Sequence, residues 1–348
     1  MDKKKNPFTV AFGMKPKQFI SRYQQIDEII DTFNSEEPSS PVYMLSGVRG
    51  SGKTVMMSYI AEQLREDDDW IVVGLNVNRD ILTSLAARLY DEPLLKPMIM
   101  EAKIDLSILG IGVSIEKSNK ISDIDNAIIQ LLKIVKKLKK KVLVTIDDVG
   151  NSEQMRAFCS AFTIFISEGY PIFLLMTGIY ENIFELQNEK TLTFLYRTPR
   201  IEMTSLNIGA IADSYQSVFK ISDEKALEMA RKTKGYSYAF QVLGYMSWIY
   251  SEEDEGHIEK RTADYLGEYS YSKIWYELSE KDKEVLSVMA EKNLDTVKDI
   301  RDAMGLQSNQ FSVYRSRLMR KGILTSRGYG KVEFALPYFK EFVLNQYY

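Results

Sequence analysis

The fold of this chain is decided by the stretch Val42-Tyr-Met-Leu-Ser-Gly47-Val-Arg-Gly50-Ser-Gly52-Lys53-Thr54. An apolar run ends at Gly47, and a Gly-x-x-x-x-Gly-Lys-Thr loop then leads into an apolar pattern of helical period. Strand, glycine-rich loop and helix in this order predict a phosphate-binding loop, or P-loop. Glycines let the backbone N–H groups point at phosphate oxygens, and the helix N-terminus adds partial positive charge. The residues predicted to bind nucleotide here are Gly47, Arg49, Gly50, Ser51, Gly52, Lys53 and Thr54.

A second stretch, Lys141-Val-Leu-Val-Thr-Ile146-Asp147-Asp148, is a β-branched apolar run that ends in paired carboxylates. Such a run is typical of a buried parallel strand, and ligands bind at the carboxyl edge of an open α/β sheet. Asp147 is predicted to join the Thr54 hydroxyl around Mg²⁺, mostly through water. Asp148 is predicted to be the general base or water-orienting residue for attack on the γ-phosphate. Together with Lys53, these residues predict a nucleoside triphosphate site in an α/β P-loop core with a parallel sheet.

Guanine specificity is not expected. A GTPase carries Asn-Lys-x-Asp after the second motif, whereas the nearest approach, Asn119-Lys120-Ile121-Ser122, lacks the Asp and precedes it. The transporter signature Leu-Ser-Gly-Gly-Gln is also missing from the sequence. A guanine nucleotide and the transporter class are therefore discarded, and ATP with Mg²⁺ is what the family resemblance described next implies.

A third apolar strand, Pro171-Ile-Phe-Leu-Leu-Met-Thr177-Gly178, ends in a hydroxyl residue. The arrangement resembles sensor 1 of the AAA+ ATPases, where a polar side chain on the strand beside the Asp-Asp strand orients the attacking water. The resemblance implies a catalytic role for Thr177. Alternatively, Thr177 only forms the turn at the end of the strand.

Upstream, Phe19-Ile-Ser21-Arg22 resembles the Phe-x-Gly-Arg box of the origin-recognition and initiator ATPases, which the signal-transducing STAND ATPases share. In both groups the box lines the adenine pocket, so the resemblance implies that Phe19 and Arg22 bind the base. Ser21 stands where the box has glycine. Packing alone also explains the helix that follows, because its apolar residues lie on one face. These are Ile26, Ile29, Ile30 and Phe33.

Downstream, Lys234-Gly235-Tyr-Ser-Tyr238-Ala-Phe-Gln resembles the lid motif of the same families. Initiators carry a nucleotide-sensing Arg near the position of Tyr238, and this chain does not. Asp148 also replaces the more usual Glu, and its side chain is one methylene shorter. These departures favour the STAND-like group and predict slow turnover, or the use of ATP as a switch.

The composition is that of a globular protein, with 45% apolar and 27% charged residues. The single cysteine, Cys159, lies in an apolar helical stretch and is expected to be buried and inert, and the lone His257 suggests no metal site. No signal peptide or membrane span is predicted, so cytoplasmic residence is expected. Residues 103–116 alternate about Leu109-Gly110 and predict an inserted β-hairpin, which would contact a partner or cover the core.

Three domains are predicted: an ATP-binding core (1–204), a helical lid (205–272) and a C-terminal domain (273–348). In the last, Ser279 and Thr296 are expected to cap two helices, and Ser308 opens a third. Two short strands then flank Arg327-Gly-Tyr-Gly330. Three helices and a hairpin in this order predict a winged helix-turn-helix.

Charge favours double-stranded DNA as the partner of this winged helix. No Asp or Glu lies between Ala303 and Val332, and the basic residues there are Arg315, Arg317, Arg320, Lys321, Arg327 and Lys331. The whole chain, in contrast, carries a net charge of −3. A basic recognition helix and wing are the footprint expected of a duplex reader, whereas winged helices also serve as protein-interaction modules. The residues predicted to contact DNA are Gln310, Arg315, Arg317, Arg320, Arg327 and Lys331.

The sequence thus resembles an AAA+ or STAND-type ATPase, in which the nucleotide state would control a DNA-binding winged helix. Arg197 and Arg200 are candidates for a finger that reaches ATP in a neighbouring subunit of a homo-oligomer, or are ordinary surface arginines. The competing class is an ATP-gated interaction protein with little hydrolysis, whose winged helix docks a protein partner. A metabolic P-loop kinase is a third class, but it leaves the basic C-terminal domain unexplained.

Overall fold

The structure is a computed structural model that describes residues 5–11, 16–112 and 119–346. The chain divides into two compact units. We call the first the sheet unit, made of Arg22–Ser46 and Lys53–Glu202. The second, the helical unit, is made of Met1–Ser21, Gly47–Gly52 and Met203–Tyr348. The predicted boundaries at residues 204 and 272 divide the chain differently, and they stay predictions.

The sheet unit is built on a five-stranded parallel sheet. The strands of the described chain are β1 (Val42–Ser46), β2 (Trp70–Leu75), β3 (Ile104–Asp105), β4 (Asn119–Lys120), β5 (Lys141–Ile146), β6 (Ile172–Gly178), β7 (Arg200–Glu202), β8 (Leu324–Ser326) and β9 (Val332–Phe334). The large sheet has the order β2-β5-β6-β1-β7, and every pairing in it is parallel. Every residue of β1 and β6 is buried, as in a parallel sheet covered on both faces. The predicted α/β class is confirmed.

The helices of the sheet unit place their apolar faces on this sheet. They are α1 (Tyr23–Asn34), α2 (Lys53–Arg65), α3 (Ile81–Asp91), α4 (Lys96–Glu101), α5 (Ile124–Lys137), α6 (Glu153–Ser167), α7 (Tyr180–Gln187) and α8 (Thr193–Tyr196). Helix α1 buries Ile26, Ile29 and Phe33 from the predicted apolar face. Cys159 is buried in α6 as expected, and burial raises the pKa of its thiol to about 12, which keeps it inert.

The β-hairpin predicted across residues 103–116 is wrong for the part that the structure describes. Strand β3 pairs with β4 in parallel, and residues 107–109 form a single 3₁₀ turn. Ile104, Leu106 and Ile111 are buried in the same core as α3 and α5. The alternation in the sequence does not follow burial here, because the polar Asp105 is fully buried and the apolar Ile108 is 57% exposed. Residues 113–116 of the predicted hairpin lie outside the described residues.

The helical unit joins the predicted lid and the C-terminal segment through one apolar core. Its helices are α9 (Ile208–Phe219), α10 (Asp223–Lys232), α11 (Ser237–Ile249), α12 (Glu255–Leu266), α13 (Ser272–Tyr276), α14 (Glu280–Glu291), α15 (Val297–Ala303), α16 (Ser308–Arg320) and α17 (Phe339–Leu344). A π-helical turn, Gly267–Tyr271, leads from α12 into α13. Tyr271 lies in one cluster with Leu286, Phe311 and Phe339, so the two predicted domains share a continuous interior.

In the C-terminal segment, residues 273–346, the predicted order of three helices and two strands is formed by α14, α15, α16, β8 and β9, with α13 before it and α17 after it. Helices α14 and α15 begin after Ser279 and Thr296, whose hydroxyls accept hydrogen bonds from backbone N–H groups of the first turn. Helix α16 begins with a capping box between Gln307 and Gln310. Strands β8 and β9 then pair in antiparallel fashion. We call this segment the C-terminal module.

Among the described residues, no helix is long and apolar enough to cross a membrane.

Candidate functional site

Three strands of the sheet unit bring polar residues to one edge. Strand β6 lies between β1 and β5, and the register pairs Leu45 with Thr177 on one side and Ile146 with Met176 on the other. Thr177 is therefore level with Asp147, the first residue after β5. Because the strands are parallel, their carboxyl ends meet where α/β proteins bind ligands. Helix α2, whose first residues are Lys53 and Thr54, starts at the same edge.

The Asp147 carboxylate is shared by two hydroxyl groups. Thr54 Oγ1 lies 2.9 Å and 3.1 Å from its two oxygens, and Thr177 Oγ1 donates a hydrogen bond to Oδ1. Thr177 is fully buried, and Lys53 is 9% exposed. Hydroxyl and carboxylate oxygens are the hard ligands that Mg²⁺ prefers, so Thr54 and Asp147 fit the predicted metal. The two side chains lie 93 positions apart in the sequence, and the structure brings them together.

Asp148 turns the chain sharply at the end of β5. Its φ is +54°, in the left-handed region that residues with a Cβ seldom adopt. The conformation is held from β6, because Asp148 N–H donates to Thr177 Oγ1 at 3.2 Å and Val149 N–H donates to the Thr177 carbonyl at 2.8 Å. Thr177 thus binds the Asp147 carboxylate and the Asp148 backbone together. The Asp148 side chain is exposed, and its role toward a nucleotide stays a prediction.

The first part of the P-loop, Gly47–Gly52, belongs to the helical unit and contacts the C-terminal module there. The Arg49 guanidinium is bound by the Glu277 carboxylate, with Nη2 at 2.7 Å and Nε at 3.1 Å from its oxygens. Both side chains are about 30% exposed, at 31% and 27%. Val48 packs against the same apolar core as α14 and α16.

Three consecutive residues at the start of α11 contact the same loop. Tyr236 Oη donates to the Arg49 carbonyl at 2.7 Å, Ser237 Oγ donates to the Ser51 carbonyl at 3.0 Å, and Tyr238 N–H donates to the Gly50 carbonyl at 3.1 Å. The Tyr236 hydroxyl also lies 2.9 Å from Ser270 Oγ in the π-helical turn. Burial raises the pKa of Tyr236, so its hydroxyl keeps its proton.

Comparison with known proteins agrees with this architecture. Over 94% of this chain and 96% of the other, the structure matches a Walker-type ATPase of Pyrococcus abyssi, with a TM-score of 0.64 and 13% identity. The ORC2 protein of Aeropyrum pernix, solved in ADPNP and ADP complexes, matches over 96% of both chains, with a TM-score of 0.60 and 12% identity. The chain has the fold of an ORC-like Walker-type ATPase. The predicted resemblance is confirmed at that level, since such low identities show the fold alone.

Two sequence comparisons add little to the structural match. A family model described as a domain of unknown function, DUF8462, matches residues 268–343, which include most of the C-terminal module. The comparison with curated proteins finds no match.

Within the ORC-like fold, the residues predicted to bind adenine are divided between the units. Phe19 is half-buried in the helical unit. Arg22 precedes α1 in the sheet unit, and burial lowers the pKa of its guanidinium. Their role at the base stays a prediction.

The two candidate finger arginines lie on the sheet unit. Arg200, on β7, stacks over the Tyr180 ring at 4.7 Å, and its side chain is exposed. Arg197 follows α8 and lines an open cavity of about 750 Å³ beside Tyr196 and Lys190. A contact with a neighbouring subunit stays a prediction for both.

The residues predicted to contact DNA fall into two groups. Arg320, Arg327 and Lys331 are exposed, and the last two lie near Glu333 and Asp295 at 3.9 Å and 3.7 Å. Gln310 lies at the start of α16, where its side chain accepts from Gln307 N–H at 3.1 Å. Arg315 is half-buried on α16.

Arg317 needs a correction, because its guanidinium is held inside the module. It donates to the Asp282 carboxylate at 2.7 Å and 3.0 Å and to Ser279 Oγ at 3.0 Å. Asp282 is 1% exposed, so Arg317 balances a buried charge. Arg317 is therefore not expected to contact DNA bases.

Sequence reasoning missed the residues of the helical unit that contact the P-loop, and part of the exposed face of α16. Glu277 and Tyr236 contact the loop from more than 180 positions away, so no local pattern indicates them. On α16 the exposed face is formed by Asn309, Ser312, Val313 and Arg320. A helical wheel could have found this face, because residues spaced by one or two turns of a helix lie on the same side of it.

We predict that Arg317→Ala destabilises the C-terminal module, whereas Arg320→Ala does not. Removing Arg317 leaves the buried Asp282 carboxylate without its cation, at a cost of roughly 2 to 3 kcal/mol for a pair with one partly exposed partner. Arg320 is exposed on the same helix and is the matched control. Urea unfolding of both variants measures the difference, and equal stability of the two would contradict the structural role of Arg317.

Proposed function

We propose that the protein binds ATP with Mg²⁺ and hydrolyses it slowly, and that its nucleotide state controls a DNA-binding winged helix. One observation carries this proposal above a generic ATPase: the P-loop contacts the C-terminal module, because Arg49 pairs with Glu277 and Val48 packs against the apolar core to which α14 and α16 contribute. A change in the loop on nucleotide binding therefore acts on the module without an intermediate element.

ATP binding is supported by the P-loop motif and by the residues gathered at the sheet edge. Lys53 would reach the β- and γ-phosphates, and Thr54 with Asp147 would hold the metal. When bound, Mg²⁺ neutralises charge that develops on the phosphate oxygens. The hydroxyl of Thr177 orients the Asp147 carboxylate, as a partner behind a metal ligand does.

Slow hydrolysis is supported by the geometry of Asp148. Its carboxylate is exposed at the sheet edge, where it would orient the attacking water. The Asp side chain is one methylene shorter than Glu, so it reaches less far from the backbone. The left-handed φ of +54°, held from Thr177, leaves little freedom to compensate for that reach.

DNA binding is supported by the charge of the C-terminal module. Helix α16 and the hairpin supply Arg320, Lys321, Arg327 and Lys331, and residues 303–332 contain no acidic side chain. Three helices followed by an antiparallel hairpin is the arrangement of a winged helix, whose third helix enters the major groove. Arginine and lysine on its rim would contact phosphates.

A second candidate function is an ATP-gated protein-interaction switch. It is favoured by the apolar groups on the same surface: Val313 on α16 is 57% exposed, and Tyr329 at the hairpin tip is fully exposed. Such groups suit a protein partner as well as a DNA groove. Assembly into a homo-oligomer and cytoplasmic residence also stay proposals.

The first experiment measures binding to duplex DNA at two salt concentrations, with ATP, with ADP and without nucleotide. We expect binding that depends on nucleotide and falls steeply with salt, because phosphate contacts release counterions. The double variant Arg320→Ala, Lys331→Ala should bind duplex DNA more weakly than the parent protein at each salt concentration. If the protein does not bind duplex DNA in any nucleotide state, the proposal of DNA binding is wrong and the protein-interaction switch is favoured.

We predict that Asp148→Asn slows phosphate release by about 100-fold while ATP affinity changes by less than about threefold. Asparagine tolerates the left-handed φ of this position, so the substitution removes charge without straining the turn. Glu153→Ala, which removes an exposed carboxylate at the start of α6, is the control. If both variants release phosphate like the parent, Asp148 does not orient the water.

We predict that Glu277→Gln weakens the coupling between nucleotide and module. Because the ion pair with Arg49 is lost, ATP should still bind, but DNA affinity with ATP and with ADP should differ by a smaller factor. Glu280→Gln, three positions further on and 89% exposed, is the matched control. Unchanged coupling in Glu277→Gln would show that the Arg49 contact does not transmit nucleotide state.

A further inference from the structure

The backbone of the P-loop is held by a short segment far away in the sequence. The carbonyl groups of Arg49, Gly50 and Ser51 each accept one hydrogen bond from residues 236–238, at 2.7 Å, 3.1 Å and 3.0 Å. The donors are a phenol, a backbone N–H and a hydroxyl. Three successive carbonyls are thus held by three successive residues at the start of α11.

This arrangement fixes the direction of the loop's N–H groups. A peptide unit is planar and trans, so its C=O and the N–H of the next residue point in opposite directions. A donor that holds the Arg49 carbonyl therefore turns Gly50 N–H away from α11, and the bond to the Ser51 carbonyl does the same for Gly52 N–H. The middle unit is fixed as well, because Ser51 N–H donates to the Val48 carbonyl at 3.2 Å.

Gly50 and Gly52 are suited to this orientation. Both have positive φ, +76° and +93°, so the loop curls as an anion-binding loop requires. A Cβ on Gly50 would overlap the Tyr236 hydroxyl, so glycine also allows the close approach of the phenol.

The holding segment is itself rigid. Lys234 and Gly235 both adopt positive φ, and a Cβ on Gly235 would lie 2.6 Å from the Leu206 carbonyl. Leu206 N–H donates to the Gly235 carbonyl at 2.8 Å. This tight turn aims Tyr236 at the loop, and the Tyr236 ring is 5% exposed.

We infer that Tyr236, Ser237 and Tyr238 are positioning residues that orient the P-loop amides of Gly50 and Gly52 for the phosphates of the nucleotide. The inference rests on the proposed ATP binding and adds residues that act on the ligand only through the loop. Their hydrogen bonds go to loop carbonyls, so they are not catalytic residues. Their contribution is pre-organisation of the loop before the polyphosphate binds.

The test compares two tyrosine hydroxyls of the helical unit. Tyr236→Phe removes the donor to the Arg49 carbonyl and keeps the ring. Tyr215→Phe is the matched control, because Tyr215 is fully buried and its hydroxyl donates to the Phe240 carbonyl at 2.8 Å, away from the loop. Both substitutions remove one buried hydroxyl, so both should lower Tm by similar amounts.

Only Tyr236→Phe should weaken the binding of ATP, by about tenfold, while Tyr215→Phe stays within about twofold of the parent. The same loss should be found with inorganic tripolyphosphate as a competitor, since the loop amides bind the phosphates alone. If Tyr236 only stabilised the fold, the two variants would lose similar amounts of Tm and would also bind the polyphosphate with similar affinity.

A second pair of variants serves if Tyr236→Phe does not fold. Ser237→Ala should weaken tripolyphosphate binding several-fold, and Ser237→Thr, which keeps a hydroxyl, should restore it. If Tyr236→Phe and Ser237→Ala bind tripolyphosphate as tightly as the parent protein or more tightly, the inference is wrong, but the proposed ATP binding still stands. Lack of ATP binding by the parent protein would overturn the proposed function, and the inference with it.

Discussion

The pairing of β6 between β1 and β5 is the constraint on which the candidate site depends. It brings Thr177 level with Asp147, so one hydroxyl binds the Asp147 carboxylate and also holds the backbone of Asp148. Because both strands are parallel to β1, the start of α2 lies at the same edge, and Thr54 completes the group. Slipping β6 by one residue would turn Thr177 to the other face of the sheet and disperse the site.

The helical unit adds a different kind of constraint. Its apolar core runs without a break from the helices before residue 272 into the C-terminal module, so the two move as one packed body unless that core opens. The loop Gly47–Gly52 is bound to this body by main-chain carbonyls and by the Arg49 ion pair. If the proposed function holds, these contacts are the shortest physical route from the nucleotide to the C-terminal module.

Those parts of the fold and the site that depend on local patterns could be predicted from the sequence. The apolar runs at β1, β5 and β6, the capping residues Ser279 and Thr296, and the glycine spacing of the P-loop all act over a few neighbouring residues. The same reasoning failed at residues 103–116, where the parallel pairing of β3 with β4 and the burial of Ile104 and Leu106 depend on distant residues. It also failed at Arg317, because a basic residue on a helix looks equally suited to DNA and to the buried Asp282.

By itself, the sequence determined the α/β class, the P-loop, the acidic strand end and the order of helices and hairpin at the C-terminus. Only the tertiary structure decided which arginines are committed to internal carboxylates, and that Tyr236, Ser237 and Glu277 bind the P-loop. The physical reason is sequence separation: Tyr236 and Glu277 lie more than 180 positions from the loop and Asp282 lies 35 positions from Arg317, so these residues meet only after strands pair and cores close. No local period or spacing carries that information, since it arises from packing.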